Sequence, residues 1–445
     1  MPPKALPGFR DFYPAEFALR AHIIDTWRRI VRRYAFMEYD GPPLEPLELY
    51  TQKSGDEIVG QLYAFDDKGG RRVAMRPEMT PTFARMVAAR AQALRKPVRW
   101  FAVPQLFRYE RQQKGRLREH FQLNVDIVGE ADVLADAELL SVAIEICCAF
   151  GLDRSDFYAR VSDRRLLNAL LADLRIDADA WPAVYAVLDK LERQPREISS
   201  EKLSAAGLTD DARDTVLGFG AFDSVGALRE RFGASPEVAV HLDRFAEYAS
   251  HLDALGVGEY LRLDLTIVRG LAYYTGIVFE LFDAQGEFRA LCGGGRYDNL
   301  LQALGDVDLP ALGFGMGDVV LGELLKARGK LADVGTMAPE VWIVPAESTP
   351  VATVLRTAAT LRSADVSVEY ALSSDKLHTR KPSAQLKDAQ KAGARIALVF
   401  TDATVADVVP LGTSGMTVGE RFVVDTARWT TARPDLNSIL FLLGR

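Results

Sequence analysis

The sequence predicts an α+β chain: a strand-rich core carrying an antiparallel hairpin, interrupted by a helical insertion and followed by a smaller α/β domain. Three observations predict it. Residues 98–129 form two runs of alternating polar and apolar side chains joined by a basic loop, the pattern of a hairpin. Residues from about 163 to 255 are rich in Ala, Leu, Asp, Glu and Arg at helical spacing and separate two strand-rich regions. Beyond residue 337, strand-like and helix-like runs alternate, which favours a small domain with a largely parallel sheet.

The elements follow in order. Phe17 to Phe36 repeats apolar residues at three and four, so an amphipathic helix is expected before the Pro/Gly break at Gly41 to Pro43. Val73 to Thr80 reads as a strand and turn, and a helix is expected from Pro81 to about Leu94, with Thr80 as its N-cap and Pro81 at its first position. After the hairpin comes a helix over Ala135 to Phe150, then the insertion. Strand character returns at Leu261 to Asp283 and around Phe288 to Gly293, and a Gly-rich strand-to-helix segment runs from Ala311 to Leu325. The expected domains are therefore residues 1–325, a polar linker at 326–337, and residues 338–445 with helices from about Thr349 to Arg362 and Ser383 to Lys391.

A chain of 445 residues, 48% hydrophobic and 26% charged, is globular and long enough for two or three domains. No stretch reaches the ~18 uninterrupted apolar residues of a membrane span, and Met1 to Phe9 has no apolar run, so a soluble, cytoplasmic protein is expected. Three cysteines, two of them adjacent, support neither a disulfide framework nor a zinc site. A net charge of −7 argues against a nucleic-acid coat while leaving room for a local basic patch.

Side chains alternate faces along a strand. Arg108 and Glu110 share one face of the first hairpin arm, and His120, Gln122, Asn124 and Asp126 share one face of the second. Phe107, Tyr109, Phe121, Leu123, Val125 and Ile127 take the other faces. Such a polar face is either solvated or a chemical surface. The loop adds Arg111, Lys114, Arg116 and Arg118 around Gly115; guanidinium forks suit phosphate oxygens, so a polyphosphate over the hairpin is one reading and a solvated tip the other. Arg269 lies in an apolar strand pattern and needs an anionic partner, structural or bound. Tyr273 and Tyr274 could hold a planar polar side chain or simply pack. There is no GxxxxGK[ST], HExxH or CxxC, and Cys292 to Leu300 lacks the lysine and spacing of a phosphate loop.

RPEMT at Arg76 to Thr80, FRYERQQKGRLREHFQLNVD at Phe107 to Asp126, VRGLAYYTG at Val268 to Gly276 and GGGRYDNL at Gly293 to Leu300 together resemble the histidyl-tRNA synthetases, class II aminoacyl-tRNA synthetases. PGFRD at Pro7 to Asp11 resembles the family's start, and Tyr34 to Glu45 its first class motif. The resemblance implies a six- or seven-stranded antiparallel catalytic sheet, an α/β anticodon-binding domain and a homodimer. It implies ATP as a substrate with Mg2+, no prosthetic group, and histidine and its tRNA as the other substrates. Carried over, Glu78, Thr80 and Gln122 would hold the ammonium group; Asp126 and Tyr274, with Tyr273 nearby, would read the imidazole. Arg108 would bridge the α-phosphate and the histidine carboxylate. Glu110 would take the adenine amino group, Arg116 the outer phosphates and Arg269 the α-phosphate. Gln113 and Lys114 would face the tRNA acceptor end.

Three departures from the family pattern stand out. Asp318 and Val319 occupy the place of the usual Glu-Arg of the third motif, Ala272 stands where an aspartate is common, and His120 and Phe121 are exchanged. Two rivals remain: an inactive paralogue that regulates histidine biosynthesis, which usually lacks the α/β domain, and a nucleic-acid-binding accessory subunit, which would not need Glu78, Gln122, Arg108 and Arg269 together.

Overall fold

The structure, a computed structural model, describes residues 4–51, 59–110, 117–268, 274–331, 338–373, 377, 379–411, 422–426, 439 and 443. The chain forms two compact units, Met1–Val334 and Gly335–Arg445.

The first unit opens with the Pro14–Arg33 helix, which turns Ile23, Trp27, Ile30 and Val31 inward as one stripe. Its strands are β1 (Met37–Glu38), β2 (Leu44–Pro46), β3 (Tyr63–Asp66), β4 (Arg72–Met75), β5 (Val98–Ala102), β6 (Gln105–Phe107), β7 (Glu119–Val128), β8 (Phe157–Asp163), β9 (Leu261–Leu263), β10 (Ile277–Asp283), β11 (Cys292–Arg296) and β12 (Ala311–Gly317). Six of them, in the order β5-β7-β12-β11-β10-β8, form a continuous antiparallel sheet. Short parallel flanks, β1 on β5 and β9 on β8, widen it, and β6 extends the pairing of β7. β2, β4 and β3 make a separate small sheet.

The first hairpin arm is thus two strands. β5 and β6 pair with β7 in one register, but Pro104 lies between them; it accepts from Gln122 N at 3.1 Å and has no N–H to return. The face assignment of β7 follows the alternation. Leu123, Val125 and Ile127 enter the main core, whereas Gln122, Asn124 and Asp126 point the other way.

Between β8 and β9 run the insertion's helices, Arg164–Asp173, Trp181–Leu188, Arg196–Ala205, Asp210–Leu217, Val225–Phe232 and Pro236–Ala254. Their buried faces join the same apolar cluster as the sheet, so the insertion is packed onto the core. Asp163 ends β8 and caps the first of them, accepting from Arg165 N at 2.8 Å. The helix after β4 spans Thr80–Ala89, shorter than the sequence suggests, because residues 90–94 tighten into turns. Its cap position is Met79, fully buried, with Thr80 already inside the first turn and no side-chain cap. Burying Met79 outweighs the modest gain of a threonine cap.

The second unit holds β13 (Val341–Val344), β14 (Val368–Glu369), β15 (Ile396–Phe400), β16 (Val405–Pro410) and β17 (Phe422–Asp425), ordered β14-β13-β15-β16-β17. The first three are parallel and the last two antiparallel, so the sheet is mixed where the sequence suggested a largely parallel one. The cause is local: Asp402 Oδ1 accepts from Thr404 N and Val405 N at 2.7 and 2.8 Å, a tight turn that sends β16 straight back along β15.

Candidate functional site

The polar face of β7 opens on a cavity of about 240 Å³. Arg108, Glu110, His120 and Gln122 line it from the hairpin, and Gly315, Gly317, Val319 and Val320 from β12 and the start of the Asp318–Ala327 helix. Arg289 and the Ala290 to Gly293 segment close another side. The strand-alternation argument therefore brings Arg108, Glu110 and Gln122 together on one surface. Gly315 lets it lie close: a Cβ there would sit 2.9 Å from Gln122 Nε2.

Arg108 is oriented by the chain that carries Glu78. Its Nε–H donates to Pro77 O at 2.8 Å, leaving the two terminal amino groups of the fork to face elsewhere. Glu78 is buried, and Thr80 is half-buried. Arg76 staples the same turn, donating from Nε to Gln105 O at 3.0 Å and from a terminal nitrogen to Asp40 Oδ1 at 2.7 Å. The first bond ties the RPEMT turn to β6 and the second to the connection between β1 and β2.

Asp126 and Tyr274 lie deeper, each under a tenth exposed. The Tyr297 hydroxyl donates to Asp126 Oδ1. Burial pushes the Asp126 carboxyl up to about 7, and that hydrogen bond only partly offsets it. Tyr274 packs in one apolar cluster with Tyr297, Phe83 and Val278, and a Cβ on Gly295 would come 3.0 Å from its ring. Tyr297 stands in the GGGRYDNL run, but no periodicity distinguishes it there; only the pairing of β11 with β12 brings it over Asp126.

His120 is on the cavity side, and loss of hydration, with the nearby Arg108 and Arg10 charges, pushes its imidazole down to about 3. It is a neutral ring at physiological pH. Phe121 faces away, against Phe12 at 6.3 Å and under the Arg20 guanidinium at 4.7 Å. The exchange of these two residues thus leaves a flat, uncharged ring in the cavity.

Arg10, in the PGFRD run, was not singled out by the sequence. It bridges Glu119 Oε1 at 2.6 Å and Asp318 Oδ2 at 3.0 Å, while Asp318 Oδ1 accepts from Phe121 N at 2.9 Å. Asp318 therefore fastens its helix to β7, and both valines after it line the cavity. Arg118 is likewise structural: it lies over the Tyr109 ring at 4.1 Å and reaches Glu110 O and Pro7 O. Arg111, Gln113, Lys114, Arg116, Arg269, Ala272 and Tyr273 lie outside the described residues.

A family profile described as histidyl-tRNA synthetase matches residues 8–317. The chain is 42% identical to a histidine–tRNA ligase of Opitutus terrae over 92% of its own length and 93% of that protein. It is 41% identical to the chloroplastic/mitochondrial histidine–tRNA ligase of Arabidopsis thaliana over 75% of this chain and 68% of that one. A histidyl-tRNA synthetase crystal structure from Nostoc sp. PCC 7120 superposes with a TM-score of 0.79 at 23% identity, covering 96% of this chain and 97% of the other. A chain from Bacillus halodurans titled as an ATP phosphoribosyltransferase regulatory subunit/histidyl-tRNA synthetase superposes with 0.70 at 23% identity, covering 84% and 96%. Likeness of fold alone therefore does not separate catalysis from regulation, and the relatives above 40% identity carry that choice.

Proposed function

Because the chain belongs to the histidyl-tRNA synthetase family, we propose that it is a histidine–tRNA ligase, forming histidyl-adenylate from histidine and ATP and passing the histidyl group to tRNA. In the first step a histidine carboxylate oxygen bonds to the α-phosphorus, and the bond to the β-phosphate oxygen breaks to release pyrophosphate. In the second, a ribose hydroxyl of the terminal adenosine of histidine tRNA attacks the carbonyl carbon, and AMP leaves. Neither step needs a protein nucleophile; the work is positioning and charge stabilisation.

The observation that carries the reading is the convergence of Arg108, Glu110 and Gln122 on one cavity. Arg108 spans the α-phosphate and the histidine carboxylate, Glu110 takes the adenine amino group, and His120 offers an uncharged face to the purine. Glu78, Thr80 and Gln122 hold the ammonium group. Asp126 and Tyr274, with Tyr273, read the imidazole, whose two ring nitrogens call for polar partners that an apolar side chain would leave unpaired. Arg269 acts at the α-phosphate, Arg116 at the outer phosphates, and Gln113 and Lys114 at the tRNA acceptor end. Magnesium enters as MgATP, since Mg2+ is commonly held by substrate phosphates.

The second unit reads the anticodon, the enzyme works in the cytoplasm, and it is a homodimer. Support for the dimer is the edge position of β1 in the large sheet, with Met37 63% exposed. Histidine-dependent exchange of pyrophosphate into ATP tests the activity. Purified protein is expected to exchange with histidine and not with other amino acids; no exchange would return the chain to the regulatory reading.

A further inference from the structure

The cavity carries a second cation that no motif assigned. Arg289 lies in the connection between β10 and β11, three residues before β11 begins, and its exposed side chain lines the cavity that Arg108 also lines. Among the described lining residues these two arginines are the cations, because His120 is held neutral. They enter from different sides. Arg108 follows β6, and Arg289 precedes β11; in the sheet β6 pairs with β7, β7 with β12 and β12 with β11. Three strand spacings separate the two anchors, roughly 14 Å. One small anion does not need cations from both sides of such a groove, whereas an extended polyphosphate does.

The wall between them is built for close approach by a ligand. Gly293, Gly315 and Gly317 line it, and around Gly317 there is open space where a Cβ would stand. Val319 and Val320, at the helix start, bring no charge. Arg108, whose Nε–H donates to Pro77 O, takes the α-phosphate and the histidine carboxylate on the function proposed above, which leaves the Arg289 side of the groove to the outer phosphates.

We propose that Arg289 is a phosphate-binding residue of this site, holding the β- and γ-phosphates of ATP and the pyrophosphate that leaves. This rests on the reading of the cavity as the ATP site. A planar fork on an exposed connection suits the role, since it can pair with two phosphate oxygens and release them with the product.

Calorimetric binding of ATP, AMP and pyrophosphate to the full-length protein tests it without requiring turnover. Arg289→Ala is expected to weaken ATP and pyrophosphate about 10-fold, the loss of one charge-assisted contact, and to leave AMP unchanged. Arg289→Lys should fall between, keeping the charge and losing the fork. In exchange assays the KM for ATP should rise with the KM for histidine unmoved. Equal weakening of ATP and AMP would make Arg289 an adenosine contact, and no weakening of ATP would remove it from the site; either overturns the proposal. A parallel rise in the histidine KM would mean general distortion and would overturn it too. Wild-type protein that binds ATP more tightly than AMP but shows no exchange would sink the ligase reading and leave this one standing.

Discussion

Asp126, proposed above to read the histidine imidazole, carries a cost to folding. It is 4% exposed, its Oδ1 accepts from Tyr297, and burial raises its carboxyl to about 7. Below about pH 4 the group is neutral in the folded and unfolded chains alike and costs nothing. As pH rises from there toward 7, the unfolded chain ionises it freely while the folded one resists, and stability is lost; above 7 the loss is complete. Asp126→Asn removes the charge and keeps an acceptor for Tyr297. Without histidine, the variant should therefore be more stable than the wild type at pH 8, by at most about 4 kcal/mol, and the two should converge below about pH 4. Histidine-dependent exchange should fall in the same variant. Melting curves across that pH range check the sign, and a difference that does not change with pH would refute the assignment of the raised carboxyl.

At the scale of elements, the glycines of β12 decide what β7 can present. Gly313 and Gly315 face β7 at Asp126 and Asn124. A Cβ on Gly313 would collide with Asp126 Oδ1 and lie 2.8 Å from Val125 O, which is backbone and cannot yield. On Gly315 the nearest atom is Gln122 Nε2, the end of a flexible side chain. Gly315→Ala should thus fold with an unchanged melting temperature while displacing Gln122, and the KM for histidine should rise about 10-fold, the loss of a hydrogen bond to a charged group. Exchange kinetics with histidine varied would show it; an unchanged KM would detach Gln122 from the ammonium group. The alternation of β7 was legible because period two is local, and so Gln122 and Asp126 were found on one strand face; Arg108 and Glu110 reach the same cavity from just beyond the end of β6, where the expected arm has already left the ladder. What brings Tyr297 to Asp126, Arg289 to Arg108 and Arg10 to Asp318 is strand order and packing across more than 150 residues, which leaves no local pattern. The buried Arg296–Asp136 pair at 2.6 Å, which ties β11 to the Val133–Ala149 helix, was hidden for the same reason. Pro104 was in plain view, yet its effect depended on which strand would need the missing N–H.

Across the whole molecule, each unit has its own core. In the first, the sheet, the Pro14–Arg33 helix and the insertion share one buried cluster, and a second lies around Phe83, Tyr274 and Tyr297. In the second, Val341, Ile343, Leu398 and Val408 centre another. Every lining residue of the cavity belongs to the first unit, as do all the residues proposed to bind histidine and ATP. Activation and tRNA selection should therefore separate. A chain ending at residue 334 is expected to fold, with helical circular dichroism and a cooperative melt, and to keep histidine-dependent exchange within a few-fold of the full chain. Its charging of tRNA should fall about 100-fold or more, because removing a linked binding module forfeits the effective concentration it supplied. A truncated chain that folds but no longer exchanges would mean that the second unit takes part in activation. Charging that survived intact would mean that tRNA is recognised by the first unit.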